Sequence, residues 1–228
     1  MIEIIPAILP KSATDIEVQL SHIQDLGGTV QVDMVDGVFV KNISWPYNAP
    51  GSFEVFANGD EGIPFWQEFE FQFDVMAEHP EQHVEQYVRA GASGIVIHAR
   101  AEGALASLNL LQQYRGTELV PVEVGLALMA GASPELLEGC AGLYDFVQVM
   151  GIGRVGVQGQ PFDERCLELI QKLRELYPEL VIQVDGGIDM ETIKKVAHAG
   201  ANRVIVGHAI LNADDPNEAI HDLREAAR

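Results

Sequence analysis

The sequence predicts a single (β/α)₈ TIM barrel, and three observations support this fold class. The chain has 228 residues, of which 47% are hydrophobic and 21% charged, so it can bury one large core. Short runs rich in β-branched residues alternate with stretches of helical periodicity. These runs are apolar on nearly every residue, which is typical of parallel strands covered by helices.

Eight such runs can be recognised, which favours a closed barrel over an open doubly wound sheet. The predicted strands are 2–8, 29–35, 70–76, 94–98, 120–128, 144–150, 180–185 and 203–207. The predicted helices are 15–26, 80–90, 104–114, 134–140, 163–177 and 189–199, each ending at or near Gly, Pro or a small residue. A weak internal repeat supports the pattern, because Ala-Gly-Ala precedes a predicted strand at residues 90–92 and again at 199–201.

One part of the predicted single domain, 1–228, departs from this pattern. Residues 36–69 contain several Pro and Gly residues and are too interrupted for an ordinary long helix, so we predict an irregular second crossover there. Long irregular loops are uncommon and often functional. The segment is either a surface insertion or a lid over the mouth of the barrel.

Composition disfavours several classes of function. Fourteen Lys and Arg against 34 Asp and Glu give a formal charge of −20, so we expect neither nucleic acid nor an anionic membrane as a partner. No apolar run approaches the roughly 18 residues of a membrane span. The chain has two cysteines, Cys140 and Cys166, and they form no CxxC motif. Its N-terminus is unlike a secretory signal, and both observations favour the cytoplasm.

Acidic residues lie near the ends of three predicted strands. Asp33, Asp74 and Asp185 belong to strands two, three and seven, and barrels of this kind build their sites at the carboxyl ends of the strands. Burying a carboxylate is costly unless it is paired or bound to a metal. A single Asp could cap a helix, but three on different strands predict a functional site.

If these carboxylates converge, each ionised pair at ~4 Å repels by about 4 kcal/mol. Either a cation lies among them, or a carboxyl is held protonated. Ligation by Asp33, Asp74, Asp185 and the amide of Gln31 would favour Mg²⁺ or Mn²⁺ over Zn²⁺. A divalent metal is therefore a candidate cofactor.

Asp33 and Asp185 are the candidate catalytic pair. Their strands lie three apart around an eight-membered ring, so the two carboxylates would approach a central ligand from well-separated directions. One could remove a proton from a carbon next to a carbonyl while the other returns a proton to the opposite face. The product would be the epimer.

Glycines at the ends of the last strands predict a phosphate site. Gly186 and Gly187 follow strand seven, and Gly207 with His208 opens a short helix after strand eight, as in the usual phosphate site of barrels. Arg154, in the glycine-rich loop after strand six, is the cation that we expect to contact phosphate. Each glycine also has an alternative role in an ordinary turn.

Four further residues are predicted to line the substrate pocket: Ala7, Met76, His98 and Met150. For His98, an equal alternative is a core histidine bound to a backbone carbonyl. The methionines would form an apolar wall, or simply pack in the core.

At these residues the sequence resembles the ribulose-phosphate 3-epimerase family of phosphate-binding barrels, over nearly the whole chain. The resemblance rests on the segments PAIL at 6–9, VDMVDGVFVKN at 32–42, VIHA at 96–99, GLAL at 125–128 and VDGGI at 184–188. It implies that Asp33 and Asp185 form the acid–base pair, that the substrate is a phosphorylated sugar, and that the protein is a homo-oligomer.

The sequence also departs from the family pattern. Family members bind a divalent metal through two histidines and the two aspartates, whereas the histidine positions here correspond to Gln31 and Asp74. A serine common in the first strand is Ala7, the loop Asn-Pro-Gly-Phe-Gly-Gly is replaced by residues 153–159, and His208 replaces a small hydroxyl residue.

These observations predict a sugar-phosphate epimerase or isomerase. The alternative is a barrel that binds sugar phosphates without turnover. An aldolase or decarboxylase ranks last, because no lysine ends strands three to seven.

Overall fold

The computed structural model of the protein describes residues 2–116 and 121–228, and it confirms the predicted barrel. Eight parallel strands close in chain order, and β8 pairs with β1. They are β1 Glu3–Ile8, β2 Gly28–Val35, β3 Phe69–Met76, β4 Ala92–His98, β5 Glu123–Leu128, β6 Phe146–Met150, β7 Val181–Asp185 and β8 Arg203–Val206. The predicted start of the fifth strand, residue 120, lies outside the described residues.

The helices cover the outer face of the barrel. They are α1 Ala13–Ser21, α2 Glu54–Ala57, α3 Val84–Arg89, α4 Ala104–Leu111, α5 Arg165–Leu176, α6 Thr192–Ala199, α7 His208–Leu211 and α8 Pro216–Ala226. Short 3₁₀ helices occupy Gln24–Leu26, Pro80–Gln82 and Pro134–Cys140. Within the described ranges, no helix is both long and apolar enough to cross a membrane.

Three predicted helices need correction. Residues 134–140 form a 3₁₀ helix rather than an α-helix, and the predicted helix 80–90 divides at His83 into a 3₁₀ turn and α3. The predicted helix 15–26 likewise divides into α1 and a 3₁₀ turn. Helix α8 was not predicted, although Asp215 caps its N-terminus and Pro216 occupies the first turn, both ordinary start signals.

The second crossover, residues 36–68, contains the short helix α2 among turns. An aromatic cluster fixes it to the outside of β3: the Phe53 ring lies 5.2 Å from Trp45, 6.1 Å from Phe73 and 5.5 Å from Tyr87. Ser44 joins the segment to the end of β2, because its Oγ accepts a hydrogen bond from the backbone N–H of residue 35.

Strand register places two polar layers inside the barrel. Asp33 lies beside Asp74 and Gln31 beside Gln72 on β2 and β3, while Gln148 lies beside Gln183 on β6 and β7. Period-two alternation directs Asp33, Asp74 and Asp185 to the same side as the glutamines two residues earlier. We call the three aspartates the carboxylate cluster and Gln31, Gln72, Gln148 and Gln183 the amide layer.

Candidate active site

The carboxylate cluster lies at the carboxyl ends of β2, β3 and β7. Each of the three aspartates offers one carboxylate oxygen, and these atoms lie within 4.8 Å of one another. Asp74 is fully buried, while Asp33 is 7% and Asp185 9% exposed. The structure therefore brings together the three acidic residues that the sequence analysis selected.

Burial and mutual repulsion hold protons in this cluster. Burial, followed by the charges of Asp185 and Asp74, raises the pKa of Asp33 well above its usual range. Burial, followed by the charge of Asp74, raises the pKa of Asp185 to about 8. A hydrogen bond from Gln31 opposes the shift in both residues. Without a cation, the cluster keeps a proton near neutral pH.

Two glutamines of the amide layer donate hydrogen bonds to the cluster. Nε2 of Gln31 lies 3.0 Å from Oδ1 of Asp33 and 3.3 Å from Oδ2 of Asp185. Nε2 of Gln148 lies 3.1 Å from Oδ2 of Asp74 and 3.3 Å from the same Oδ2 of Asp185. The carboxylates are thus bound from below by amide N–H groups.

Gln183 orients these two amides. Its Nε2 lies 2.7 Å from Oε1 of Gln148, 2.8 Å from Oε1 of Gln72 and 3.4 Å from Oε1 of Gln31. With their oxygens turned towards Gln183, Gln31 and Gln148 direct their nitrogens towards the carboxylates. Of the amide layer, Gln31 alone was predicted as a site residue, although Gln72 and Gln183 also stand two residues before an aspartate.

His98 is a buried partner of Asp74. Its Nε2 lies 2.9 Å from Oδ1 of Asp74, and the residue is 1% exposed. The ring packs 5.1 Å from the Phe39 ring, over which the guanidinium of Arg100 stacks at 4.3 Å. His98 therefore contacts a carboxylate of the site, which neither interpretation of the sequence predicted.

A cavity of about 340 Å³ opens above the cluster at the mouth of the barrel. Many predicted site residues line it: Ala7, Asp33, Met76, Met150, Asp185, Gly186, Gly187, Gly207 and His208. Gln31, Asp74 and His98 lie beneath the lining residues rather than among them. The cavity therefore exposes Asp33 and Asp185 to a ligand and keeps Asp74 behind them.

Arg154 is not brought to this cavity. Its side chain is exposed, and its guanidinium lies 3.4 Å from Oε1 of Gln160 within the same loop. The predicted contact between Arg154 and phosphate stays a prediction.

The loop after β6 forms one wall of the cavity and explains two of the glycines. A Cβ on Gly187 would lie 2.8 Å from the backbone of Phe162, and one on Gly186 would lie 2.8 Å from the side chain of Ile152. Both glycines also have positive φ angles, 98° and 71° for Gly186 and Gly187, which other residues rarely adopt. Packing of this loop requires glycine at both positions.

The same loop is tied to the rest of the mouth. Asn42, from the second crossover, donates a hydrogen bond of 2.6 Å to the carbonyl of Gly156. Gln158 reaches across the cavity, with its Nε2 3.4 Å from the carbonyl of Ala7. Part of the second crossover therefore lies at the mouth, although its aromatic cluster packs on the outside of the barrel.

The donor set of the cluster suits a hard divalent cation. Three carboxylate oxygens within 4.8 Å of one another are oxygen ligands of the kind that Mg²⁺ and Mn²⁺ prefer. Gln31 turns an N–H group rather than its oxygen towards the cluster. The carboxylates fit a metal, and Gln31 in this orientation fits a role as a hydrogen-bond donor to the ligands.

Comparisons with known proteins agree with the predicted fold and family. A model of the ribulose-phosphate 3 epimerase family matches residues 3–211. Ribulose-phosphate 3-epimerase of Candida glabrata is 29% identical over 99% of this chain and 92% of its own length. The Bacillus subtilis protein of the same name is 26% identical over 98% and 99%.

Solved structures show the same fold at lower identity. A 3-hexulose-6-phosphate synthase superposes with a TM-score of 0.66 at 19% identity, covering all of both chains. The Streptococcus mutans protein KGPDC has a TM-score of 0.69 at 13% identity, covering 99% of this chain and 97% of its own. Since the family match spans nearly the whole barrel, the chain belongs to the ribulose-phosphate 3-epimerase family.

Proposed function

We propose that this protein is an isomerase that epimerises a phosphorylated ketose at the carbon next to its carbonyl. The observation that carries the proposal is the placement of Asp33 and Asp185, which face one cavity from β2 and β7. Two carboxyl groups on one ligand can serve as base and acid on opposite faces of a carbon. The names of the relatives point to ribulose phosphate as the substrate.

The two aspartates would divide the proton transfer between them. The ionised member of the pair removes the proton, and the protonated member returns one to the other face. In the metal-free cluster, the raised pKa of Asp33 and of Asp185 makes each carboxyl a stronger base than an exposed aspartate and keeps a proton available near neutral pH. Met76 and Met150, both buried, give the cavity an apolar wall that limits access of water to the enediolate.

The enediolate needs electrostatic stabilisation. A divalent metal held by Asp33, Asp74 and Asp185 would supply positive charge beside the developing oxyanion. Mg²⁺ or Mn²⁺ is favoured over Zn²⁺, because the cluster offers carboxylate oxygens. Metal analysis of protein purified without chelator tests this assignment, and a preparation that contains zinc alone would contradict it.

The phosphate of the substrate would bind where the chain after β7 and β8 lines the cavity. Gly186, Gly187, Gly207 and His208 line it there, at the ends of β7 and β8. In barrels this position binds phosphate through backbone N–H groups. The His208 ring, whose Nδ1 lies 3.0 Å from Nδ2 of Asn212, adds a polar edge to this rim.

We also propose a homo-oligomer in the cytoplasm. Trp66 is 61% and Val38 76% exposed, and large apolar side chains of this kind are often covered by a partner subunit. The thiols of Cys140 and Cys166 are unpaired, in keeping with a reducing compartment. Light scattering after size-exclusion chromatography tests the first point, and a monomeric mass would contradict it.

Solvent deuterium tests the reaction directly. In D₂O, wild-type protein with Mn²⁺ should incorporate deuterium into pentulose or hexulose phosphates and interconvert their epimers. Asp33→Asn and Asp185→Asn should each lower turnover by at least about 100-fold. Asp222→Asn, an exposed aspartate on α8, is the matched control and should leave turnover unchanged.

Two outcomes would contradict the proposal. Exchange that survives Asp185→Asn would remove this residue from the mechanism. Calorimetric binding of a sugar phosphate by the wild type, without any deuterium exchange, would instead favour a barrel that binds sugar phosphates without turnover.

A further inference from the structure

We propose that Gln148 is a positioning residue that orients the Asp185 carboxylate for proton transfer. The inference rests on the proposed function, because it assigns the transferred proton to a particular oxygen of Asp185. Gln148 lies on β6, is fully buried, and is not among the residues that line the cavity. It therefore acts through the carboxylates above it rather than on the substrate.

Gln148 and Gln31 bind one oxygen of Asp185 from two sides. The Nε2 atoms of both glutamines lie 3.3 Å from Oδ2 of Asp185. With Oδ2 engaged by two N–H donors from the amide layer, Oδ1 is the oxygen left to the ligand in the cavity that Asp185 lines. The geometry thus points to Oδ1 as the atom that exchanges a proton with substrate.

Gln148 also links Asp185 to the buried member of the cluster. The same Nε2 lies 3.1 Å from Oδ2 of Asp74, whose other oxygen is bound by His98. Asp74 therefore has both oxygens engaged, and Gln148 sets the spacing between its carboxylate and that of Asp185. Losing Gln148 would leave Oδ2 of Asp185 with Gln31 as its remaining donor from the amide layer, while Asp74 stays bound to His98.

The orientation of the Gln148 amide is determined by its surroundings. Its Oε1 accepts a hydrogen bond of 2.7 Å from Gln183. A reversed amide would place Oε1 against the oxygens of Asp74 and Asp185 and its own nitrogen against the nitrogen of Gln183, which is unfavourable at both ends. Towards the ionised carboxylates of the cluster, Gln148 thus serves as a donor.

Gln72 provides the matched control. It belongs to the same amide layer, is 2% exposed, and accepts a 2.8 Å hydrogen bond from the same nitrogen of Gln183. Within residues 2–116 and 121–228, the structure shows no hydrogen bond from Gln72 to a carboxylate. Gln72→Leu and Gln148→Leu therefore remove the same kind of buried amide, but only the second touches the cluster.

The test compares these variants by partition of solvent deuterium. Reactions are started in D₂O from each epimer separately, and deuterium is measured in the recovered starting sugar and in the product. Gln148→Leu should lower kcat about 10- to 100-fold, as expected for loss of a hydrogen bond to a charged group, and change KM less than threefold. Gln148→Glu, which keeps the shape but loses the N–H donors, should be at least as impaired.

The partition ratio is the deuterium in the recovered starting sugar divided by the deuterium in the product. This ratio separates a positioning role of Gln148 from a general loss of structure. Impaired transfer at Asp185 should raise deuterium in the recovered starting sugar when Asp185 delivers the second proton. It should lower the deuterium in the recovered starting sugar when Asp185 removes the first proton. The partition ratio should therefore rise for one starting epimer and fall for the other. Gln72→Leu should leave both ratios as in the wild type. Unchanged ratios in Gln148→Leu, or equal changes in Gln72→Leu, would overturn the proposal.

Failure of the proposed function would look different, because the wild type itself would then incorporate no deuterium from any sugar phosphate. In that case ¹³C NMR of aspartate-labelled protein still tests the geometry, with the Asp185 carboxyl signal assigned by its loss in Asp185→Asn. Gln148→Leu should shift this signal and Gln72→Leu should not. An unmoved signal in Gln148→Leu would refute the contact.

Discussion

Replacing Asp74 by asparagine should stabilise the metal-free protein, although it alters a fully buried residue beside the reaction centre. Its carboxylate offers an oxygen within 4.8 Å of those of Asp33 and Asp185. At an effective dielectric constant near 20, two charges at that distance repel by about 3 kcal/mol. Protonation relieves part of this repulsion, so we expect Asp74→Asn to raise the free energy of unfolding by about 2 kcal/mol at pH 8. The new amide can still accept from Gln148 and donate to His98.

The increase in the free energy of unfolding caused by Asp74→Asn should grow with pH. Burial and the charges of neighbouring carboxylates raise the pKa of Asp33, and raise that of Asp185 from 3.8 to about 8. Carboxyls with raised pKa values bind protons more tightly in the folded state, so the free energy of unfolding of the wild type falls as pH rises through this range. Asp74→Asn removes one of the charges responsible, which lowers both pKa values and makes the fall smaller.

Urea unfolding in EDTA at pH 5, 6.5 and 8 measures this difference, with Asp222→Asn as the control for a surface substitution. Adding Mn²⁺ should make the wild type more stable than Asp74→Asn. A ligand at 100 times its Kd raises the free energy of unfolding of a protein that binds it by about 2.7 kcal/mol. Asp74→Asn has lost one of the three carboxylates of the site. If the variant is less stable than the wild type in EDTA at pH 8, or gains as much from Mn²⁺, the account of the cluster is wrong.

Three further substitutions test the surroundings of the site. Ser44→Ala removes a buried hydroxyl that donates a 2.9 Å hydrogen bond to the carbonyl of Asp33. It should lower the free energy of unfolding in urea by about 1–3 kcal/mol. An unchanged midpoint would refute the anchoring role of Ser44. Gly156→Ala adds a Cβ 2.8 Å from the side chain of Val40, at a residue whose φ is 78°. The calorimetric Tm should fall by several degrees. An unchanged Tm would mean that the loop relaxes freely. Arg154→Ala should change KM for a sugar phosphate less than threefold, because Arg154 lies outside the cavity; a tenfold increase would support the phosphate contact predicted from the sequence.

Much of the barrel could be predicted, because parallel strands covered by helices need apolar residues at nearly every position. The boundaries of the helices were less accurate. Residues 134–140 have a helical pattern, but a seven-residue segment closed by tight turns forms 3₁₀ hydrogen bonds instead. The start signals of α8 at Asp215 and Pro216 were present in the sequence and were overlooked.

At the site, the acidic residues were predictable and their partners were not. An aspartate that ends an apolar strand is conspicuous in a sequence, whereas a glutamine within a strand is not. The contacts of Gln148 join β6 to β3 and β7, and depend on the curvature that closes the barrel. The contact of His98 with Asp74 depends on a register shift between β3 and β4, for which the sequence carries no local signal.

The pairing of β2 with β3 has a consequence for how this site could change during evolution. Asp33 and Asp74 occupy directly opposed positions of one parallel ladder, so their separation follows from main-chain hydrogen bonds. The Cα atoms of the two residues cannot separate without breaking the sheet. A descendant that keeps both acids on this ladder must therefore neutralise them, either with a cation or by holding a proton on one of them.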